Sequence, residues 1–293
     1  MLHYDMSQSL PSEEEFYSRI ERGLSEFPQL AMRVPTGYPR DGNARLSPDA
    51  SLHFEDYRTV RFGHNLTLPL ALFLIGSEEA RPEAQKVARH TIGRIEEFLS
   101  RVGTLSGVTQ VIEPLWRSRF RENDAADPSF WSVIALADRT LRLCREGAEI
   151  HRFESPTGTG NKTADVHYSL NGEEVFLDVE VWNAARGETI QQAREFSIRR
   201  AEQKASNKFS SLPAHATGVV SEFCFPALDS FDLIASSQRE FLEPFPIHSV
   251  PRCRGENFLF VGVADWNGQL HEVRVVDATT EPLPLLPEAR RRR

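Results

Sequence analysis

One dipeptide constrains this chain more than any other stretch. Asn171-Gly172 stands between two patterned runs, 164–168 and 175–182, and Asn-Gly suits a two-residue hairpin turn because both central residues must take positive φ. The reading is two antiparallel strands and a tight turn. A loop symmetric about that pair sets residue 170 across from 173 and Asp165 across from Asp178, with Glu180 as the diagonal neighbour. Side chains alternate along a strand, so Val175, Leu177, Val179 and Val181 share one face and Phe176, Asp178, Glu180 and Trp182 the other. Three carboxylates therefore gather on one face.

Opposed like charges on a sheet cost up to about 1 kcal/mol unless a cation or a shared proton sits between them. A divalent metal resolves the conflict, and oxygen-only ligation by carboxylates suits Mg²⁺ or Mn²⁺. The alternative is a solvated face whose acids keep an edge strand soluble. Against it, Phe176 and Trp182 lie on the acids' face and the opposite face is continuously aliphatic, the pattern of a strand covered on both sides.

The flanks have their own signals. Asp127-Pro128 reads as a helix cap with proline at the first helical position; the helix carries Phe130, Trp131, Ile134, Leu141 and Cys144, and Gly147 stops it. Residues 149–153 form an expected strand, and Gly158-x-Gly160 a loop without the strand and helix that a phosphate fingerprint needs. After the hairpin, 188–209 reads as a helix with an apolar, small-residue stripe of Ile190, Ala193, Ser197, Ala201, Ala205 and Phe209. A strand is expected at 217–225, and two more at 258–264 and 270–276 around a second hairpin signal, Trp266-Asn267-Gly268.

Across residues 127–276 the chain resembles the PD-(D/E)XK, or restriction-endonuclease-like, nuclease superfamily, whose core runs helix, three-stranded meander, helix, strand. The resemblance implies an α/β fold with that core and metal ligation by Asp165, on the second strand, and by an acid-x-Lys motif on the third. Two registers are open. Glu180-Val181-Trp182 places Trp182 at the lysine position; Asp178-Val179-Glu180 places Glu180 there. No lysine stands on this strand in either case, and some relatives supply one from the next helix, where Lys204 and Lys208 are the candidates and one of them is expected to reach. Asp138, on the preceding helix, either joins the metal shell or is a helix-surface acid. The implied activity is Mg²⁺- or Mn²⁺-dependent phosphodiester hydrolysis by Asp165, Asp178 and Glu180, on DNA rather than RNA. The competing expectation is an inactive relative, a DNA-binding or assembly module in which Trp182 fills the lysine pocket.

Charge bears on the partner. With 34 basic and 42 acidic residues the net charge is −8, which excludes a general coat of nucleic-acid affinity but not a local phosphate-gripping groove. From 186 to 209, six cations face three glutamates. Arg194, Arg199, Arg200 and Gln203 are the candidate nucleic-acid contacts, or else the solvated back of a helix.

The rest sets boundaries. Residues 1–120 read as a mainly helical region that docks a protein partner or DNA, 121–280 as the nuclease-like domain, and 281–293, ending in Arg290 to Arg293, as a disordered tail. Helices are expected at 12–27, with a Ser12-x-x-Glu15 capping box, and at 78–102. The longest apolar run, 66–75, falls short of a membrane span, and no charged-then-apolar leader opens the chain. Cys144, Cys224 and Cys253 read as thiols of a reducing cytoplasm rather than a disulfide frame or zinc site. His64, His90 and Asp56 lack ligand spacing, and no G-x-S-x-G elbow is present.

Overall fold

A computed structural model describes residues 12–40, 66–118, 127–184, 189–225, 239–264 and 270–280. The second hairpin signal, Trp266-Asn267-Gly268, and the tail expected at 281–293 lie outside the described residues, as do Asp56 and His64. The hairpin forms as its turn residues require. Asn171 and Gly172 take φ of 53° and 81°, and β2 (Thr163–Leu170) pairs with β3 (Glu173–Asn183) from Leu170 opposite Glu173 to Val166 opposite Leu177. On the outer side of β2 lies β1 (Glu149–Pro156), antiparallel, with a register shift between Ile150 and Arg152.

The inner side of β3 takes β4 (Ala216–Phe225) in parallel, and β4 takes β6 (Cys253–Ala264) in parallel. Every position of β4 is buried, as expected of a parallel strand covered on both faces. Two strands share the far edge of β6: β5 (Phe245–Ile247) pairs with its start and β7 (Leu270–Val276) with its later half, both antiparallel. Sequence pattern missed β5 and the first five residues of β6. Three residues carry no period, and Arg254 and Glu256 hide the start of β6.

Among the described residues, one sheet face carries several helices and the other chiefly one. On the first face α6 (Pro128–Arg145) begins where expected, the Asp127 carboxylate accepting the Ser129 amide proton at 2.9 Å, and Gly147 follows it at φ 88°. Beside it stand α4 (Pro82–Val102) and α5 (Val108–Trp116), and beyond them α1 (Glu13–Ser25), α2 (Pro28–Ala31) and α3 (Leu68–Ile75). Their apolar side chains join Val166, Tyr168, Val175, Leu177 and Val179 in a single core. The apolar run read at 66–75 is α3, all eight of its residues buried.

The starts of α4 and α1 differ from the pattern reading in ways the local chemistry explains. Helix α4 starts at Pro82 rather than 78, because proline fixes the first helical φ and drives Arg81 out to ψ 134°. Only half of the capping box at α1 forms: Ser12 Oγ accepts the Glu15 amide at 3.2 Å, but the Glu15 carboxylate pairs with Arg19.

Among the described residues helix α7 (Ile190–Lys208) is the main cover of the second face, with Phe241 and Leu242 packed beside it; it is opened by a full capping box of Thr189 and Gln192 that the pattern reading overlooked. Its buried side are Ile190, Ala193, Ser197, Ala201 and Ala205, the small stripe read from sequence. Small residues let the helix lie close. A Cβ on Gly218 of β4 would stand 2.8 Å from the Phe209 ring and 2.5 Å from Cys253 Sγ. Cys224 and Cys253 are buried, Cys144 half-buried, and none of the three is in a disulfide. Among the described residues no helix is long and apolar enough to cross a membrane.

Candidate functional site

The apolar layer under α7 is divided. Phe176, Ala201, Ala205, Phe209 and Val220 form one cluster, Trp182, Ile190, Ala193, Cys224 and Phe241 another. Along β3 the divide falls at Asp178 and Glu180; along β4 it falls at Glu222. The ladders set Glu180, Glu222 and Asn257 side by side on β3, β4 and β6, and Ser197 Oγ reaches Asn257 Oδ1 at 2.5 Å. With Asp165 on β2, a polar band crosses four strands.

Three cations of α7 answer the acids. Arg200, Lys204 and Lys208 recur at four-residue spacing and so share one helix edge. Lys208 Nζ contacts Asp178 Oδ1 and lies 3.7 Å from Asp165 Oδ1. Lys204 Nζ contacts Glu180 Oε1 and lies 3.2 Å from Asp178 Oδ2. Arg200 donates from Nη2 to Glu180 Oε2 at 3.1 Å and from Nε to Glu222 Oε2 at 3.2 Å. One lysine was expected to reach the acids, and both do, because the small stripe brings the helix close enough for two consecutive turns to deliver an ammonium.

Asp165 has a second duty. The β2–β3 ladder runs as far as the Val166–Leu177 pair; one residue on, Asp165 Oδ2 accepts the Val179 amide proton at 2.7 Å, so the acid stands in for a backbone carbonyl. Burial shifts the balance of the cluster. Loss of hydration pushes Glu222 up to about 7, Arg200 opposing. Asp165 is pushed up by burial and then by Asp178, with Lys208 pulling the other way. Burial by itself would lower Lys208, but Asp178 and Asp165 outweigh it and hold the ammonium above its ordinary value. Four carboxylates against three cations leave one negative charge that a proton or a further cation can take.

The donor chemistry suits a hard divalent ion, since every group is a carboxylate oxygen. Glu222 Oε1 is buried with no hydrogen-bond partner, and the buried Asp178 Oδ2 faces only the Lys204 ammonium at 3.2 Å, so lone pairs remain for a cation. As the side chains stand, however, no group of three or more His, Cys, Asp or Glu among the described residues is arranged to hold a metal ion, and the lysine heads lie against the acids that would hold one. Accommodating an ion requires those heads to withdraw.

The other sequence candidates divide. Trp182 packs in the apolar cluster, edge-on to Phe196 at 5.1 Å, its Nε1 unpartnered. Arg199 and Gln203 are exposed on α7. Arg194 Nη1 donates to the carbonyls of Phe241 at 2.9 Å and Glu243 at 3.2 Å, bracing the chain after β4 instead of lining the band. Asp138 pairs with Arg142 at 2.6 Å and Arg94 at 3.8 Å; α6 lies on the opposite sheet face, so this acid does not join the cluster. Glu222 was missed, though an acid in the middle of an otherwise apolar strand was the available signal.

No protein-family model, curated protein or solved structure matches this chain.

Proposed function

We propose that the chain is a metal-dependent nuclease of the PD-(D/E)XK type that hydrolyses phosphodiester bonds, with DNA the expected polymer. One observation carries this reading: the acids of the hairpin and the lysines of the following helix meet in one cluster, although neither strand of the hairpin carries a lysine near them. The order α6, β1 to β3, α7, β4 supports it. So does the parallel pairing of β3 with β4, which places the acids inside the sheet and not on an edge.

In this reading Asp165, Asp178 and Glu180 hold Mg²⁺ or Mn²⁺, which supplies Lewis acidity toward the scissile phosphate and an acidified water. The chain does the rest. Lys204 or Lys208, freed from its carboxylate, offers an ammonium to the phosphate or the attacking water, and Arg200 offers a planar fork suited to phosphate. Phe176 and Trp182 border the acids with apolar surface, which strengthens each charge between them.

A second reading has its own support. The α7 cations already neutralise most of the acids' charge, which is what a metal-free, non-cleaving module needs. Calorimetric titration with Mn²⁺ and Mg²⁺, beside cleavage of a plasmid, separates the two. The nuclease reading expects metal binding that Asp178→Asn removes and cleavage that requires the metal; a protein that binds neither ion and cuts nothing is the module.

A further inference from the structure

Arg200 is held unequally by its two acids. Glu222 is fully buried, whereas Glu180 keeps a quarter of its side chain exposed and shares its carboxylate with Lys204. Losing Arg200 would leave Glu222 as a buried carboxylate with one oxygen already unpartnered, a costly state. Losing it costs Glu180 far less, because Lys204 remains. The guanidinium also lies over the Phe196 ring at 5.7 Å, a contact that holds its plane.

We propose that Glu222 is a positioning residue of the charged cluster: its carboxylate anchors Arg200 through Nε, so that when a cation takes Glu180 the guanidinium stays in place and grips a backbone phosphate of nucleic acid. This rests on the nuclease reading and gives its substrate contact a named anchor. The geometry suits the exchange. Nε points inward to the buried acid while Nη2 spans to the part-exposed one, so the anchored edge is the inner one and the released nitrogen lies on the more exposed side. Guanidinium pairs with phosphate by the same forked bonds that it makes to carboxylate, so Arg200 exchanges one anionic partner for another of like shape.

The test is the affinity of a short fluorescent DNA duplex, measured by anisotropy over a range of salt with Ca²⁺ present. Glu222→Met fills the same space without an acceptor. It should weaken binding about tenfold and reduce the salt slope by about one phosphate contact, and Arg200→Ala should do the same. The double variant should lose no more than either single one, and Glu222→Gln, which keeps an oxygen for Nε, should bind within about twofold of the parent. Should Glu222→Met fail to fold, Arg200→Lys decides: it lacks the fork, the position is part-exposed, and it should lose as much as Arg200→Ala. Parental binding by Glu222→Met, additive losses in the double variant, or parental binding by Arg200→Lys would each overturn the anchor while leaving the nuclease reading standing. A parent protein that binds no DNA overturns both.

Discussion

Asp178 is where the charges of the cluster converge, for both lysines touch it and water does not reach it. Asp178→Ala would leave the partly buried Lys208 ammonium with the more distant Asp165 at 3.7 Å, while Lys204 keeps Glu180, so we expect a loss of about 3 kcal/mol in urea unfolding, and less for Asp178→Asn. Asp165→Ala and Glu180→Ala should each abolish cleavage while the protein stays folded; Asp165→Ala should also cost about 1 kcal/mol, because the Val179 amide loses its acceptor. Full cleavage by either would refute the site. Of the lysines, removal of the one that serves the reaction should cut turnover by about two orders of magnitude or more. A Lys204→Ala, Lys208→Ala double variant that cuts at the parental rate would leave no lysine role in the mechanism. The buried Glu222 gives a pH signature. Between about 4.5 and about 7 the native acid keeps a proton that the unfolded chain has released, so the unfolded state binds fewer protons and stability falls as pH rises. Glu222→Gln lacks this loss. In metal-free protein its stability advantage over the parent should grow by roughly 2–3 kcal/mol across that window and level off above it; an advantage independent of pH would show that Glu222 is ionised throughout.

At the scale of elements, α7 and the hairpin make the charged cluster together. The hairpin lines up the acids by its register, and α7 delivers the cations because Ala201 and Ala205, both fully buried, let its backbone approach the sheet. Ala201→Leu should therefore cost about 1–3 kcal/mol through overpacking and lift the turns that carry Lys204 and Lys208. The expected result is a folded protein with a lower melting temperature and a disproportionate loss of cleavage. Parental cleavage by a variant so destabilised would mean that the lysines need no such closeness. The same closeness explains the polar band. Ser197, the one polar residue in the buried stripe, meets Asn257 on β6, so the helix buries a hydroxyl where the sheet offers it a partner.

Across the whole molecule, the sheet is finished by helices from the beginning of the chain. Ile95 and Phe98 of α4 and Ile112 and Leu115 of α5 lie in the same core as Phe153, Val166 and Leu177, and Arg94 of α4 donates to the Val273 carbonyl of β7. A fragment of residues 121–280 would uncover that face. It should be unfolded or aggregated, bind a hydrophobic dye and lack a cooperative melt; a sharp melt from the fragment would show that it is a self-sufficient domain.

Local chemistry was enough for the hairpin, the flanking α6 and α7, and the face on which Asp165, Asp178 and Glu180 stand. An Asn-Gly turn, a period of two and a capped period of 3.6 are written in neighbouring residues, and each has one geometric solution. By the same logic the stripe from Ile190 to Ala205 already said that α7 would lie close. What the residues could not say alone is which acids and cations come to share a cluster. Glu222 reaches Glu180 only through the parallel pairing of β3 with β4, whose register depends on how α7, which connects them, packs across the sheet and not on any turn motif. The meeting of both lysines with Asp178 likewise depends on the distance from helix to sheet. Asp138, promising by its position on α6, is removed from the cluster because that helix lies on the other face, a choice made by the packing of the whole core.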